Sequence, residues 1–256
     1  MAQQLVNRVR SITIWGIALG ALGALYVALF PSMSGLLEQY LEQASQEMQQ
    51  FMGGLQGPMT IERWLEIEFV GSIIPLALPF MAMAIGARAV AGSEERKTLD
   101  LILSNPLPRR HVIIAALGTA AAALAGVLVI TWVLTYVAVP LAEVDLSPGR
   151  LAMGLLVLWP FCLFFGALAL LFSAFVRRSF LAITIPGVVL VAMYVISELA
   201  QVSKSIEPLR TISLFHQLGN PLEGHFPWIA ALATLAATAV VVAGAIIAFD
   251  RRDIYT

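Results

Sequence analysis

The sequence predicts an all-α polytopic membrane protein with six transmembrane helices and cytoplasmic N- and C-termini. Three observations carry that expectation. Of the 256 residues, 59% are hydrophobic and 12% charged, where soluble domains average about 45–50% and about 25%. Six stretches free of Asp, Glu, Lys and Arg have about the 20-residue length that a helix needs to cross the hydrocarbon core. Lys and Arg divide unevenly between alternate loops, which sets orientation.

The six charge-free stretches are Ile12–Phe30, Phe69–Ala87, Val112–Ala142, Leu151–Val176, Phe180–Ser197 and Phe226–Phe249. Pro140 ends or bends the third, which gives a span over 112–140. Pro186 lies inside the fifth and shortest, where a kink or partial unwinding is expected. Each must be helical, because lipid offers no partner for unpaired backbone groups, and the alternating pattern of a membrane barrel is absent. Arg8 and Arg10 precede the first run as they would in a signal peptide. That run is longer than a typical h-region and is followed by Pro31-Ser32-Met33-Ser34 rather than an Ala-x-Ala site, so it reads as a retained span.

One set of loops and ends holds Arg8, Arg10, Arg88, Arg96, Lys97, Arg109, Arg110, Arg177, Arg178, Arg251 and Arg252. The alternate set holds Arg63, Arg150, Lys204 and Arg210. The first set, with both termini, is therefore placed in the cytoplasm. A net charge of −1 leaves no basic excess for nucleic acid. The single cysteine, Cys162, excludes an internal disulfide and a multi-cysteine metal site, and its apolar setting reads as a small buried hydrophobe.

Residues 31–68 form the first external segment. Leu37, Leu41, Ala44, Met48 and Phe51 share one helical face, which predicts an external amphipathic helix over 36–52, capped by Ser34 and stopped by Gly53-Gly54. The stripe reads first as packing on the protein's own outer face or on the membrane, and second as a gate or a docking surface for an outside partner. A second helix starts after Pro58 with Thr60 as cap. Its Glu62, Glu66 and Glu68 form an acidic collar, read as solvated helix surface first and as an attractor of cationic substrates second. The external segment 198–225 is broken by Pro208, Gly219, Pro221 and Gly224. Its apolar run Ile212–Leu218 predicts a short re-entrant or interfacial helix. His216 and His225 lack a third ligand for a metal site.

The loop over 88–111 carries the functional signal. Ser93 is placed as N-cap, and Glu94 and Glu95 in the first turn, where carboxylates complement the helix dipole. Leu99, Ile102 and Leu103 make an i, i+3, i+4 patch, and Ser104-Asn105-Pro106 ends the helix. Such an element fits the membrane surface and a partner's groove equally well. No G-x-x-x-x-G-K-[ST] loop, His-Glu-x-x-His or Gly-x-Ser-x-Gly occurs, so the chain is not expected to hydrolyse ATP or to be catalytic by itself. The charge-free runs offer no paired mid-membrane carboxylates for ion coupling. Gly16-x-x-x-Gly20 with Gly23, and Gly118, Ala122 and Gly126, are small-residue stripes that allow close helix approach. A membrane enzyme with an unrecognised site, and a scaffold or sensor docking through 36–52, stand as alternatives.

The pattern Gly92-x-Glu94/Glu95-x-x-Thr98-Leu99-x-Leu101-Ile102-Leu103-Ser104-x-Pro106-x-x-Arg109 resembles the loop motif of membrane-spanning (permease) subunits of type-2 ATP-binding-cassette exporters. The ending Phe249-Asp250-Arg251-Arg252-Asp253 is similar to that family's cytoplasmic close of the sixth helix. The long outer segment between the first two spans departs from the family, where it is often short. The resemblance implies a coupling helix in which Glu94, Glu95, Thr98, Leu99, Ile102 and Leu103 contact or support a nucleotide-binding ATPase subunit. Leu99, Ile102 and Leu103 would fill the partner's groove. It further implies two ATPase subunits per complex, holding ATP and Mg, with no cofactor on this chain. The remaining partners are a second permease copy or a homologous permease, and membrane lipids. Its setting would be a prokaryotic cell membrane. Apolar walls from the second and fifth spans would suit a hydrophobic or amphiphilic cargo.

Overall fold

The computed structural model describes residues 2–43, 59–95, 109–202 and 213–251. Among these residues there are no strands, and six helices are long and apolar enough to cross a bilayer. The spans run Val9–Leu36, Ile61–Ala89, Arg110–Leu141, Pro148–Phe175, Ser179–Ala200 and Trp228–Asp250. The second and fourth are the most enclosed, with 56% and 67% of an apolar 18-residue stretch buried against 22% to 33% for the others. Those two are therefore held mainly by protein, while the other four present apolar surface to their surroundings.

The first helix is longer than expected. It runs unbroken over Ala2–Gln43 with Pro31 inside it. Ser34 is therefore not the cap of a separate external helix; its hydroxyl donates to the Pro31 carbonyl at 3.4 Å. A proline forfeits one backbone bond, which a long membrane helix tolerates. The first part of the expected 36–52 helix is thus a continuation of the first span, and residues 44–52 lie outside the described residues.

Thr60 does cap the second helix, its side chain accepting from Arg63 N. The helix then widens into π turns over Glu66–Ile73 before returning to α geometry over Ile74–Ala89. The Ser72 hydroxyl reaches Ile67 O five residues back, at 2.8 Å. A Cβ on Gly71 would come within 2.7 Å of Glu66 O, so glycine suits the wide turn. The third helix ends at Leu141, one residue past Pro140. The fourth span starts with Pro148 at its first turn, pauses at Val157, and resumes over Leu158–Phe175. The fifth continues through Pro186 from Ser179 to Val202.

Compact packing divides the chain into two units. One comprises Met1–Ile74, Gly126–Leu158 and Tyr194–Pro227. In it the first and third spans pack through the glycine stripe. A Cβ on Gly16 would lie 2.7 Å from Ile130 Cβ, and one on Gly20 2.7 Å from Leu134 Cβ. That face of the first span is therefore occupied within the chain. The Trp64 indole donates to Tyr26 O at 3.2 Å, and the Tyr26 ring sits 6.0 Å from both Trp64 and Phe69.

In the same unit, residues 213–227 fold as two single 3₁₀ turns, His216–Leu218 and Pro221–Glu223. Gly219 and Gly224 take positive φ between and after them, and Asn220 bridges to His225. Phe215, Leu218 and Leu222 are buried. Of the expected apolar helix over 212–218, Ile212 lies outside the described residues, and the rest makes one short turn of a compact knot, because Gly219 ends it at once.

The other unit comprises Pro75–Ala125, Trp159–Met193 and Trp228–Thr256. Its core joins Val90, Ile113, Ala167, Leu170, Ala174, Val242, Ala245 and Phe249. The second and fourth spans touch backbone to backbone here: a Cβ on Gly86 would overlap the Gly166 carbonyl oxygen. Cys162 is fully buried, as its apolar setting implied.

Candidate functional site

The second span's helix ends at Ala89, and the chain turns at Val90 into a single helical turn, Ala91–Glu95. The Ser93 and Glu94 amides both donate to Val90 O, at 3.0 and 2.9 Å. Ser93 is not an N-cap. It lies inside the turn, and its hydroxyl points back to Ala89 O at 3.1 Å and Arg88 O at 3.2 Å. Helix ends leave carbonyls without partners, and a serine two to four residues on can serve them.

Val90 and Ile113 flank the loop on its two sides, and both are fully buried in the apolar cluster. That cluster draws Ala167, Leu170 and Ala174 from the fourth span and Val242, Ala245 and Phe249 from the sixth. Both feet of the loop are therefore seated on the same two helices. A displacement of the loop meets close-packed side chains, which transmit strain instead of absorbing it.

The two acids of the loop face the link between the fourth and fifth spans. The Glu94 carboxylate lies 3.6 Å from Arg177 Nε. Glu95 takes two hydrogen bonds from Ser179, the first residue of the fifth helix: one from the backbone N–H at 2.9 Å and one from the hydroxyl at 2.6 Å. Sequence reasoning placed both acids as first-turn dipole partners of their own helix. Glu94 does lie in the first turn of its own short helix, and both acids also reach the link that leads into the fifth span, Glu94 at Arg177 and Glu95 at Ser179. Thr98, Leu99, Ile102 and Leu103, with Arg96 and Lys97, lie outside the described residues. Arg110 is exposed at the start of the third span.

The acidic collar is not the solvated surface expected of it. Glu66 is 8% exposed, and its carboxylate accepts from Leu222 N at 2.8 Å. Glu62 pairs with Arg150 at 2.8 Å. The signal for Glu66 was present in its spacing: it precedes the buried Phe69 and Val70 by three and four residues. No such spacing joins Glu95 to Ser179, which lie 84 residues apart.

The family model described as ABC-2 family transporter protein matches residues 2–254. The chain belongs to that family. No curated protein matches it. As an ABC-2 family member with six membrane-length helices, it is a multi-pass component of a membrane transport system. Within that family frame, the turn at Ala91–Glu95 and its contacts are the built part of the loop that the sequence singled out.

Proposed function

We propose that this ABC-2 family chain is the membrane-spanning subunit of an ATP-driven exporter in a prokaryotic cell membrane. Two permease copies, identical or homologous, form the path, and two ATPase subunits engage their loops at 88–111. The observation that carries the reading is family membership across residues 2–254. The anchoring of both feet of the loop in one apolar cluster supports it, because a partner needs a stiff lever to pull on.

In this reading the termini and the loop face the cytoplasm. Leu99, Ile102 and Leu103 seat in a groove of the ATPase, with Glu94, Glu95 and Thr98 supporting them. ATP and Mg bind the partner and draw two ATPases together. The loops follow, and the spans pass from an inward- to an outward-facing state. The nucleotide acts by binding one state more tightly than the other. The apolar walls suit hydrophobic or amphiphilic cargo such as a drug, an antibiotic or a lipid.

The test is co-purification from native membranes, followed by ATPase assays on the reconstituted complex. A Walker-motif ATPase is expected to travel with the chain. Leu99→Asp with Ile102→Asp is expected to abolish permease-stimulated hydrolysis while membrane insertion persists. Unchanged stimulation, or a pull-down without any ATPase, refutes the reading.

A further inference from the structure

The link between the fourth and fifth spans is only three residues long, from Val176 to Arg178. It is gripped by the loop that precedes the third span. Glu95 accepts both the backbone N–H and the hydroxyl of Ser179, at 2.9 and 2.6 Å. Glu94 stands 3.6 Å from Arg177 in the same link. The first amides of a helix have no partner inside it, and its N-terminus carries partial positive charge. Glu95 therefore acts as a cap supplied from a segment 84 residues away. Of the two acids Glu95 contributes more. Both ties lie at the surface, and Glu95 makes two short charge-assisted bonds where Glu94 has a longer ion pair with Arg177.

From this geometry we infer that Glu95 is a positioning residue that makes the fifth span move with the loop at 88–111. The inference rests on the coupling role proposed above and extends it. The apolar cluster ties the loop to the fourth and sixth spans through Val90 and Ile113, and none of its buried members comes from the fifth. The carboxylate cap gives the fifth span its own polar tie to that loop. Such bonds are directional, so a shift of the loop pulls on the first turn of the helix.

The test uses the full complex with its ATPase subunits in proteoliposomes. An environment-sensitive thiol probe is placed at Val188→Cys in the fifth span or at Ile229→Cys in the sixth, both exposed positions. The native Cys162 is fully buried and leaves labelling specific. ATP with Mg is expected to shift the probe signal at both sites in the parent complex. Glu95→Ala is expected to lower the shift at Val188→Cys by more than half and leave that at Ile229→Cys unchanged. Ser179→Ala, which removes one of the two bonds, is expected to give an intermediate loss.

Equal shifts at both probes in Glu95→Ala overturn the inference. So does loss of both shifts in an assembled complex, which would place Glu95 at the partner contact instead. If Glu95→Ala does not assemble, Ser179→Ala decides, and an undiminished Val188→Cys shift in it overturns the inference. A parent complex with no ATP-dependent shift at either probe refutes the coupling role itself, a result distinct from failure of the clamp.

Discussion

Replacing Gly16 and Gly20 with alanine separates two uses of the glycine stripe in the first span. A Cβ at either site would stand 2.7 Å from the Cβ of Ile130 or Leu134. Ordinary contact begins at 3.4 Å, so the first and third helices must part by about 0.7 Å. The obstructing atoms are themselves Cβ atoms and cannot rotate away. Overpacking of this kind costs about 1–3 kcal/mol, and alanine returns at most about 1 kcal/mol of helix propensity. The two clashes share a seam and one separation relieves both, so their costs do not add. The two propensity gains add to about 2 kcal/mol while the shared clash counts once, so the double variant is expected to lose at most about 1 kcal/mol, a fall of up to about 4 °C in apparent Tm by the scaling for chains of this size, in place of the gain that two unopposed alanines would bring. Heating in detergent with a maleimide dye reads this directly, because the only thiol is the buried Cys162. Gly118→Ala is the control, since its Cβ would meet nothing within 4 Å. It is expected to be neutral or slightly stabilising. A stabilisation of about 2 kcal/mol in the double variant, the sum of two unopposed alanines, or dissociation of an oligomer at unchanged Tm, refutes the packing argument and assigns the stripe to an interface between chains.

Two further outcomes follow from the polar groups of the same unit. Glu66→Ala leaves the Leu222 amide buried without its acceptor and is expected to cost about 1–3 kcal/mol, with Glu66→Gln losing less because its amide oxygen still accepts; protease sensitivity within 213–227 reports it, and equal resistance of the alanine variant would contradict the bond. The Thr131 and Thr135 hydroxyls are fully buried with no hydrogen-bond partner, so Thr131→Val with Thr135→Val is expected to leave Tm unchanged or raise stability by about 1 kcal/mol. A clear loss of stability would mean that the hydroxyls are satisfied in the membrane-embedded protein.

The six spans were legible because the bilayer imposes one dominant rule on length and charge. Their ends were not. The first helix passes Pro31 because the ring forfeits only one bond and the apolar pattern continues into Leu36 and Leu37. Thr60 was legible as a cap because capping is a local chemistry of the residues that follow it. Ser93 was misplaced for the same local reason. A serine before two glutamates looks like a helix start, and only the ending of the preceding helix at Ala89 turns its hydroxyl backward. The candidate loop was found from its motif, while the partners of Glu94 and Glu95 depend on which link folds beside them. No periodicity within a segment encodes that.

Glu66 and Glu95 make one point about how such a chain specifies its contacts. Apolar side chains fill the helix seams, yet in lipid apolar packing alone distinguishes poorly between one register and the next, since lipid tails are as apolar as leucine. Each carboxylate instead takes a backbone N–H at the start of a helical turn: Leu222 in the turn Pro221–Glu223, and Ser179 at the head of the fifth span. A backbone donor is fixed by the path of the chain and not by side-chain identity. A slip of one residue in either segment would leave the carboxylate facing a different amide. The sequence separations of 156 and 84 residues mean that each bond fixes the placement of two distant segments at once. For the buried Glu66 the cost of an unpaired carboxylate penalises misregister more sharply than the loss of a few apolar contacts would, whereas the exposed Glu95 forfeits only its two charge-assisted bonds. Glu66 and Glu95 are thus better understood as registration points for the helices than as part of a solvated rim.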